Sequence, residues 1–241
     1  LDSVGEPASY THLTYLIQEL KKNKNIYFIS MQSNGTYFTK EKIDELEKAG
    51  LNRIHLSIHS TDPKQSKELF GTDEYNVKKI LEVIEHISKS KIELMLAPVL
   101  LPGINDEEIE KLVELAKRIG CKIGIQKYEE YKYSRKPKGI KKENYYKFYK
   151  RLEELEEKYD IKLIYKHEAG EIYKGKSLEK PIKVGERINA KILSDGWNDG
   201  QKIAAFKNRS ITINDCEAEE GDKINLKVLE NKSNIYLAKR V

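Results

Sequence analysis

The sequence predicts an α/β fold built on a parallel sheet, followed by a small all-β barrel. Two patterns carry that prediction. Up to about residue 130, short apolar runs alternate with amphipathic stretches of helical period, the pattern of βαβ crossovers with helices outside a parallel sheet. Beyond about residue 180 the period falls to two, and the runs are cut by turn signals at Ser194-Asp195-Gly196, Asn198-Asp199-Gly200 and Glu220-Gly221-Asp222.

The elements follow in order. Residues 13–22 place Leu13, Leu16, Ile17 and Leu20 on one helix face. Residues 26–31 form an apolar run between Asn25 and Asn34-Gly35, hence a buried strand. Thr39 caps a helix running through Glu47, with Ile43 and Leu46 inward and Gly50 as its stop. A strand at 54–58, a helix at 76–88, a strand at 92–100, a helix at 106–118 ended by Gly120 and a strand at 122–126 continue the alternation. A lysine- and tyrosine-rich loop covers 127–142, then come a charged helix over 144–158 and a strand over 161–165. Residues 168–180 are polar and glycine-containing, a linker. Runs at 188–192, 202–206, 210–213, 223–229 and 234–238 predict short antiparallel strands closing into a barrel. The predicted domains are therefore 1–179 and 180–241.

Composition narrows the class. With 241 residues, 39% hydrophobic and 34% charged, the chain can bury a core but is too charged for a membrane protein. Its longest apolar run, around Met95 to Leu101, falls far short of the ~18 residues that span a bilayer. No charged-then-apolar segment opens the chain, so a cytoplasmic protein without a membrane partner is expected. Cys121 and Cys216 lie far apart and build neither a disulfide framework nor a cysteine-based metal site. The net charge of +5, from 44 basic and 39 acidic residues, permits a nucleic-acid partner without establishing one. Leu1 stands where natural chains have methionine, and residues 1–7 read as a strand end entering a loop, so an N-terminally truncated chain is expected.

Ligands of parallel α/β folds bind at the C-terminal ends of strands. The segments there are Gly5-Glu6-Pro7, Gln32-Ser33-Asn34-Gly35, Ser57-Ile58-His59-Ser60, Pro102-Gly103-Ile104-Asn105 and Gln126-Lys127-Tyr128-Glu129. Each alone serves equally well as a polar turn. The histidines of the third, with His55 two residues before Ser57, share one strand face and are either packed or ligand-facing.

Taken in this order and spacing, over residues 1 to 130, these segments resemble the radical S-adenosylmethionine (SAM) superfamily. The resemblance implies a partial (βα)6 barrel that binds S-adenosylmethionine. Gly5, Glu6 and Pro7 would hold the methionine amino group, since a carboxylate and backbone carbonyls accept hydrogen bonds from an ammonium. Ser33 and Asn34 would lie along the methionine part, Ser57 and His59 near the ribose or carboxylate, and the backbone around Gln126 against the adenine. The resemblance also implies an enzyme whose [4Fe-4S] cluster, reduced by an external electron donor, cleaves the cofactor to a 5′-deoxyadenosyl radical. The family's Cys-x3-Cys-x2-Cys cluster loop is missing, and its place would lie upstream of Leu1. The chain is thus expected to lack the first strand and the cluster loop, to carry no metal ligands and, as given, to be inactive in radical chemistry.

The segment from Gly124 to Gly139 resembles archaeal iron-sulfur oxidoreductases that carry a small C-terminal β domain, and the barrel is similar in pattern and size to TRAM-type, OB-like RNA-binding barrels. In the loop after the last parallel strand, Lys127, Arg135 and Lys136 alternate with Tyr128, Tyr131 and Tyr133, a mixture suited to phosphate neutralisation with base stacking. These residues are the candidates for contact with substrate, RNA or tRNA. Glu129 and Glu130 dilute the charge and tyrosines also anchor loops, so a structural role stands beside the RNA reading. Two rivals remain open. One is a non-catalytic RNA-binding protein, the other an aldolase-like barrel with Lys127 as Schiff base.

Overall fold

The structure is a computed structural model and describes residues 1–2, 5–131, 136–137, 139–140, 143–165 and 179–241. The backbone divides into two compact units. One comprises Leu1–Tyr128 and Lys138–Glu171, the other Glu129–Pro137 and Ile172–Val241. The domain boundary expected at 179/180 adjoins residues 166–178, which lie outside the described residues.

The first unit is built on parallel strands. β1 (Ser30–Ser33), β2 (Arg53–Leu56), β3 (Glu93–Leu96) and β5 (Lys122–Ile123) form one sheet in the order β1-β2-β3-β5. β4 (Val99–Leu100) and β6 (Gln126–Lys127) pair as a second parallel ladder. The Leu1 backbone lies along the β1 edge, its carbonyl accepting from the Gln32 N–H at 3.1 Å. Around the strands run α1 (Leu13–Lys22), α2 (Lys40–Ala49), α3 (Pro63–Phe70), α4 (Val77–Ile87), α5 (Asp106–Ile119) and α6 (Tyr145–Tyr159). Their apolar faces, with Ile17, Ile43, Ile84 and Leu112, share a buried core with Met31, Ile54, Leu56 and Leu96 of the strands.

Sequence grammar set most boundaries. Thr39 and Asn76 accept from the N–H groups of Lys42 and Lys79, and Gly50 and Gly120 end their helices in the left-handed region at φ 100° and 70°. Five expectations in this unit need correction. The strand expected at 122–126 breaks into β5 and β6 at Gly124-Ile125, beside the interruption of its neighbour at Ala97-Pro98, and β6 takes in Lys127. The strand expected at 26–31 begins only at Ser30, because the Asn52 side chain takes the Ile29 N–H at 2.9 Å instead of a strand neighbour. The strand expected at 92–100 breaks into β3 and β4 at Ala97-Pro98, where proline offers no N–H. The helix α3 was absent from the sequence reading although Asp62 caps it, Pro63 occupies its first turn and Gly71 ends it. Residues 161–165 form no strand, since Glu156 Oε1 accepts the N–H groups of Leu163 and Ile164 at 2.6 and 2.8 Å and replaces a ladder partner.

The second unit contains a closed barrel of β7 (Arg187–Asp195), β8 (Lys202–Phe206), β9 (Arg209–Ile213), β10 (Lys223–Glu230) and β11 (Tyr236–Arg240). Its alternating inward residues, among them Ile188, Ile192, Ile211, Leu226, Val228 and Tyr236, form a separate core. The strands are not all antiparallel as expected: β11 inserts between β10 and β9 and pairs parallel with β9. Among the described residues, no helix is long and apolar enough to cross a membrane.

Candidate active site

The strand ends gather most of the residues singled out by the sequence. Glu6 caps a short 3-10 helix, Pro7–Ser9, through a 2.9 Å bond from the Ala8 N–H to Oε1. The same carboxylate reaches the end of β1. Its Oε1 accepts from Ser33 Oγ at 2.7 Å and its Oε2 from the Asn34 N–H at 2.7 Å. Ser33, buried, also accepts the Gly35 N–H at 3.0 Å, so one hydroxyl ties the carboxylate to the turn behind it. The Ser57 N–H donates to the Ser33 carbonyl at 2.8 Å and extends the β1–β2 ladder to this rim. Gly5, Glu6, Pro7, Ser33, Asn34 and Ser57 are therefore brought together.

The structure gives two of the assigned residues further partners. The Asn34 side-chain oxygen is engaged with Thr36, accepting its N–H at 2.9 Å and its hydroxyl at 2.6 Å, which leaves the backbone as the part of Asn34 that faces Glu6. His59 is a packed residue. Its Nδ1 accepts the Val99 N–H at 3.1 Å, its ring stacks on Phe70 at 4.8 Å, and burial pushes its pKa down to about 4. A neutral imidazole there holds β2 to β4.

Behind this rim sits an anchor that the sequence reading named only as a turn. Asn105 is fully buried; its Nδ2 donates to the carbonyls of His59 (2.9 Å) and Val99 (3.0 Å), and its Oδ1 accepts the Leu101 N–H at 2.8 Å. Glu108, on the first turns of α5, was missed altogether. Its Oε2 accepts from Ser60 Oγ, Thr61 N and Oγ1, and Asp62 N at 2.6–3.1 Å, while Lys111 pairs with Oε1. Burial works to raise its pKa, but the hydrogen bonds from Lys111, Thr61 and Ser60 outweigh it and bring the carboxyl down to about 2. A buried acid beside Ser60-Thr61-Asp62 leaves no periodic signal, so only the capping pattern of Asp62 could have pointed to that turn.

The period of two that turns Met31, Ile54 and Leu96 to the helices turns Gln32, His55, Ser57 and Met95 to the opposite face. Gln32, His55 and Met95 lie in one row of register across β1, β2 and β3. Burial and then the Arg53 charge lower the His55 pKa, so that ring too is neutral at neutral pH. The floor of this face is an ionic ladder in which Glu93 pairs with Arg53 at 2.7 Å and Lys122 at 2.6 Å. At the far edge a pocket of about 790 Å³ opens between β5–β6 and α6, lined by Met95, Gly124, Gln126, Tyr149, Glu153 and Tyr165. Gln126 is exposed in it, and its N–H donates to the Pro98 carbonyl at 2.7 Å.

The basic loop is only partly described. Lys127 donates to the Tyr128 carbonyl at 3.1 Å and lies 4.9 Å from the Tyr145 ring centroid. The Tyr128 hydroxyl is buried without a hydrogen-bond partner, Tyr131 is exposed, and Lys136 is ion-paired with Glu130 at 2.7 Å. Tyr133 and Arg135 lie outside the described residues.

The fit of the implied cofactors can be tested on these residues. An ionised carboxylate has about four acceptor positions; Glu6 uses three, and the remaining one can take a ligand ammonium. The cluster does not fit. The chain has two cysteines where three are needed; burial pushes the Cys121 thiol up to about 12, and Cys216 is buried in the other unit. Among the described residues no group of three His, Cys, Asp or Glu could hold a metal ion.

Parallel βα units carrying an acid-anchored turn at the strand C-termini define a cofactor-binding partial α/β barrel. The family profile described as the Radical SAM superfamily matches residues 2–116, and that stretch of the chain belongs to the superfamily. An uncharacterised protein of Methanocaldococcus jannaschii is 39% identical over 269 residues, covering 100% of this chain and 62% of that protein. The GTP 3′,8-cyclase of Aquifex aeolicus is 32% identical over 124 residues, covering 52% of this chain and 38% of the cyclase. The chain thus spans less than two thirds of either relative. Among solved structures, Streptococcus suis SuiB bound to S-adenosylmethionine aligns with TM-score 0.51 and 19% identity over 64% of this chain and 35% of that one. A domain of a pyruvate-formate lyase-activating enzyme from Bacteroides vulgatus aligns with TM-score 0.51 and 15% identity over 67% and 94%. Both are alike in fold.

Proposed function

We propose that this chain forms the S-adenosylmethionine-binding part of a radical SAM enzyme whose substrate is an RNA, with tRNA within that class. One observation carries the cofactor assignment: the Glu6 carboxylate joins the Gly5–Pro7 turn to Ser33 and Asn34 and keeps one acceptor position for an ammonium. When bound, the cofactor supplies one-electron chemistry at its sulfonium. The residues of this chain bind and orient it. Glu6 and the turn around it hold the methionine end, Ser57 borders the middle, and the backbone and amide of Gln126 meet the adenine in the pocket beside α6. His59 and Asn105 tie the rim to β4.

The RNA reading is supported by the Lys/Tyr loop, the net charge of +5 and the five-stranded barrel. The likeness to the A. aeolicus cyclase covers 52% of this chain and 38% of the cyclase.

Equilibrium dialysis of the chain against radiolabelled S-adenosylmethionine tests the cofactor assignment without any need for turnover. Saturable binding that is lost in Glu6→Ala is expected. Binding that is absent, or identical in the variant, would remove the basis of the proposal.

A further inference from the structure

We propose that the outer face of β7, β10 and β11 docks the phosphodiester backbone of RNA, an inference that rests on the RNA reading above and gives it a surface. On β7 the alternating outward positions are Arg187, Asn189, Lys191 and Leu193, and on β10 they are Lys223, Asn225, Lys227 and Leu229; the acidic Asp195 and Glu230 are exposed only at the strand ends. The register sets Lys191 directly opposite Lys223, Asn189 opposite Asn225 and Arg187 opposite Lys227, and Lys227 in turn faces Lys239 of β11. Five cations thus stand on one face in two rows, with a pair of asparagines between them.

Like charges directly opposed across strands destabilise a sheet. A barrel selected for stability alone would alternate the signs, and this chain does so elsewhere. Lys202 pairs with Asp195 at 2.6 Å and Lys207 with Glu186 at 3.1 Å. By contrast, Arg187, Lys191, Lys223, Lys227 and Lys239 have no carboxylate within ion-pair distance among the described residues. Three opposed like-charge pairs left without counter-charges are matched by a polyanion whose charges repeat along a line.

The asparagines favour RNA over other anionic surfaces. Asn189 Nδ2 donates to Asn225 Oδ1 at 2.9 Å, which fixes the two amides as a unit and presents hydrogen-bonding groups between the cation rows. Phosphates bound by the rows would bring sugar hydroxyls and base edges over this amide pair. OB-type barrels bind oligonucleotides on the face of their second and third strands. Here that face carries Lys202, whose charge is already paired with Asp195, and Arg209, whereas the opposed cation pairs lie on the first, fourth and fifth strands.

The test is a fluorescence-anisotropy titration of the full chain with a labelled single-stranded RNA of mixed sequence, repeated across a salt series. The variants are Arg187→Gln/Lys227→Gln/Lys239→Gln and, as a control at a cation already paired with Asp195, Lys202→Gln. The first should weaken binding roughly tenfold or more at low salt and flatten the slope of log K against log salt by about 2, since each lost phosphate contact removes ~0.7 from a single-strand slope. The second should bind within about twofold of the parent. A triple variant that binds like the parent would overturn this surface and leave the RNA reading standing. No RNA binding by the parent at any salt would overturn both. Tighter binding by the parent to phosphatidylglycerol vesicles than to RNA, lost in the triple variant, would assign the face to a membrane and overturn the proposal. Removal of opposed like charges does not threaten folding, and unchanged S-adenosylmethionine binding by the triple variant confirms an intact first unit.

Discussion

The Glu6 carboxylate accepts the backbone N–H of Asn34 at 2.7 Å and the Ser33 hydroxyl at the same distance, a bridge across 28 residues of chain. It makes the first strand-end turn and the end of β1 one rigid rim. Glu6→Ala leaves the Ser33 hydroxyl, the Asn34 N–H and the Ala8 N–H without their acceptor. Hydrogen bonds to a charged group contribute about 1.5–3 kcal/mol each at most, less where water can replace the lost acceptor. A destabilisation of about 2 kcal/mol is expected in urea unfolding of Glu6→Ala, and Glu6→Gln should recover part of it by keeping one acceptor oxygen.

Glu108 is the second prediction. Its carboxyl is held near pKa 2, below its unfolded value of about 4.3, so the stability it contributes is complete above pH 4.3 and is lost as the pH falls toward 2. Glu108→Gln removes the charge yet keeps an oxygen; Glu108→Ala abandons the Ser60-Thr61-Asp62 turn entirely. Chemical denaturation at pH 7 should place Glu108→Ala about 3 kcal/mol below the parent and Glu108→Gln between the two. Equal stability of all three would remove the anchor role.

His59 gives the opposite charge change with the same direction in pH. Its pKa falls from about 6.5 unfolded to about 4 folded, so the folded state gains from a neutral ring above pH 6.5 and loses that gain as the pH falls to 4. Between pH 7.5 and pH 5 the loss is about 2 kcal/mol. Urea midpoints measured at the two pH values should show the drop in the parent and a flatter response in His59→Phe, which cannot take up a proton.

A fourth prediction concerns the pocket edge. A Cβ on Gly124 would stand 2.4 Å from the Met95 Cε, so a side chain there must displace the end of a flexible residue on the open face. Gly124→Val should cost about 1–3 kcal/mol through overpacking. Met95→Ala in the same chain should recover most of that loss, and a thermal-melt double-mutant cycle would read the coupling.

Reversing one charge in the basic ladder separates stability from binding. Lys227→Glu converts its contacts with Arg187 and Lys239 from repulsive to attractive. The barrel should gain about 1 kcal/mol in thermal melts, while RNA affinity falls. A variant that is less stable than the parent would contradict the like-charge reading of that face.

Much of the fold was legible because helix punctuation is local. Thr39, Asn76, Gly50 and Gly120 act within one turn of their own positions, and the structure places them as caps. Strand limits were less legible because partners far along the chain decide them. Asn52 delays β1 and Glu156 prevents a strand at 161–165, and neither is visible in a local hydrophobic run. In the site, the grouping of Glu6 with Ser33 and Asn34 followed from motif order. The roles of Asn105 and Glu108 did not, because a buried polar side chain is recognised by what surrounds it. The parallel β9–β11 pair was hidden for a simpler reason: alternation reports a strand's faces and says nothing about its direction.

That pair also sets the order in which the barrel can be assembled during synthesis. β7, β8 and β9 are sequential neighbours and can zip as they emerge, but β10 joins β7 across more than thirty residues and leaves two open edges. Only β11 closes them, binding β10 on one side and β9 on the other. Until residues 236–240 are in place, the nascent chain exposes strand edges that can pair with other chains. Chaperone dependence and aggregation during expression should therefore track the last strand, and a ribosome stalled before it would hold a sheet that cannot yet become a barrel.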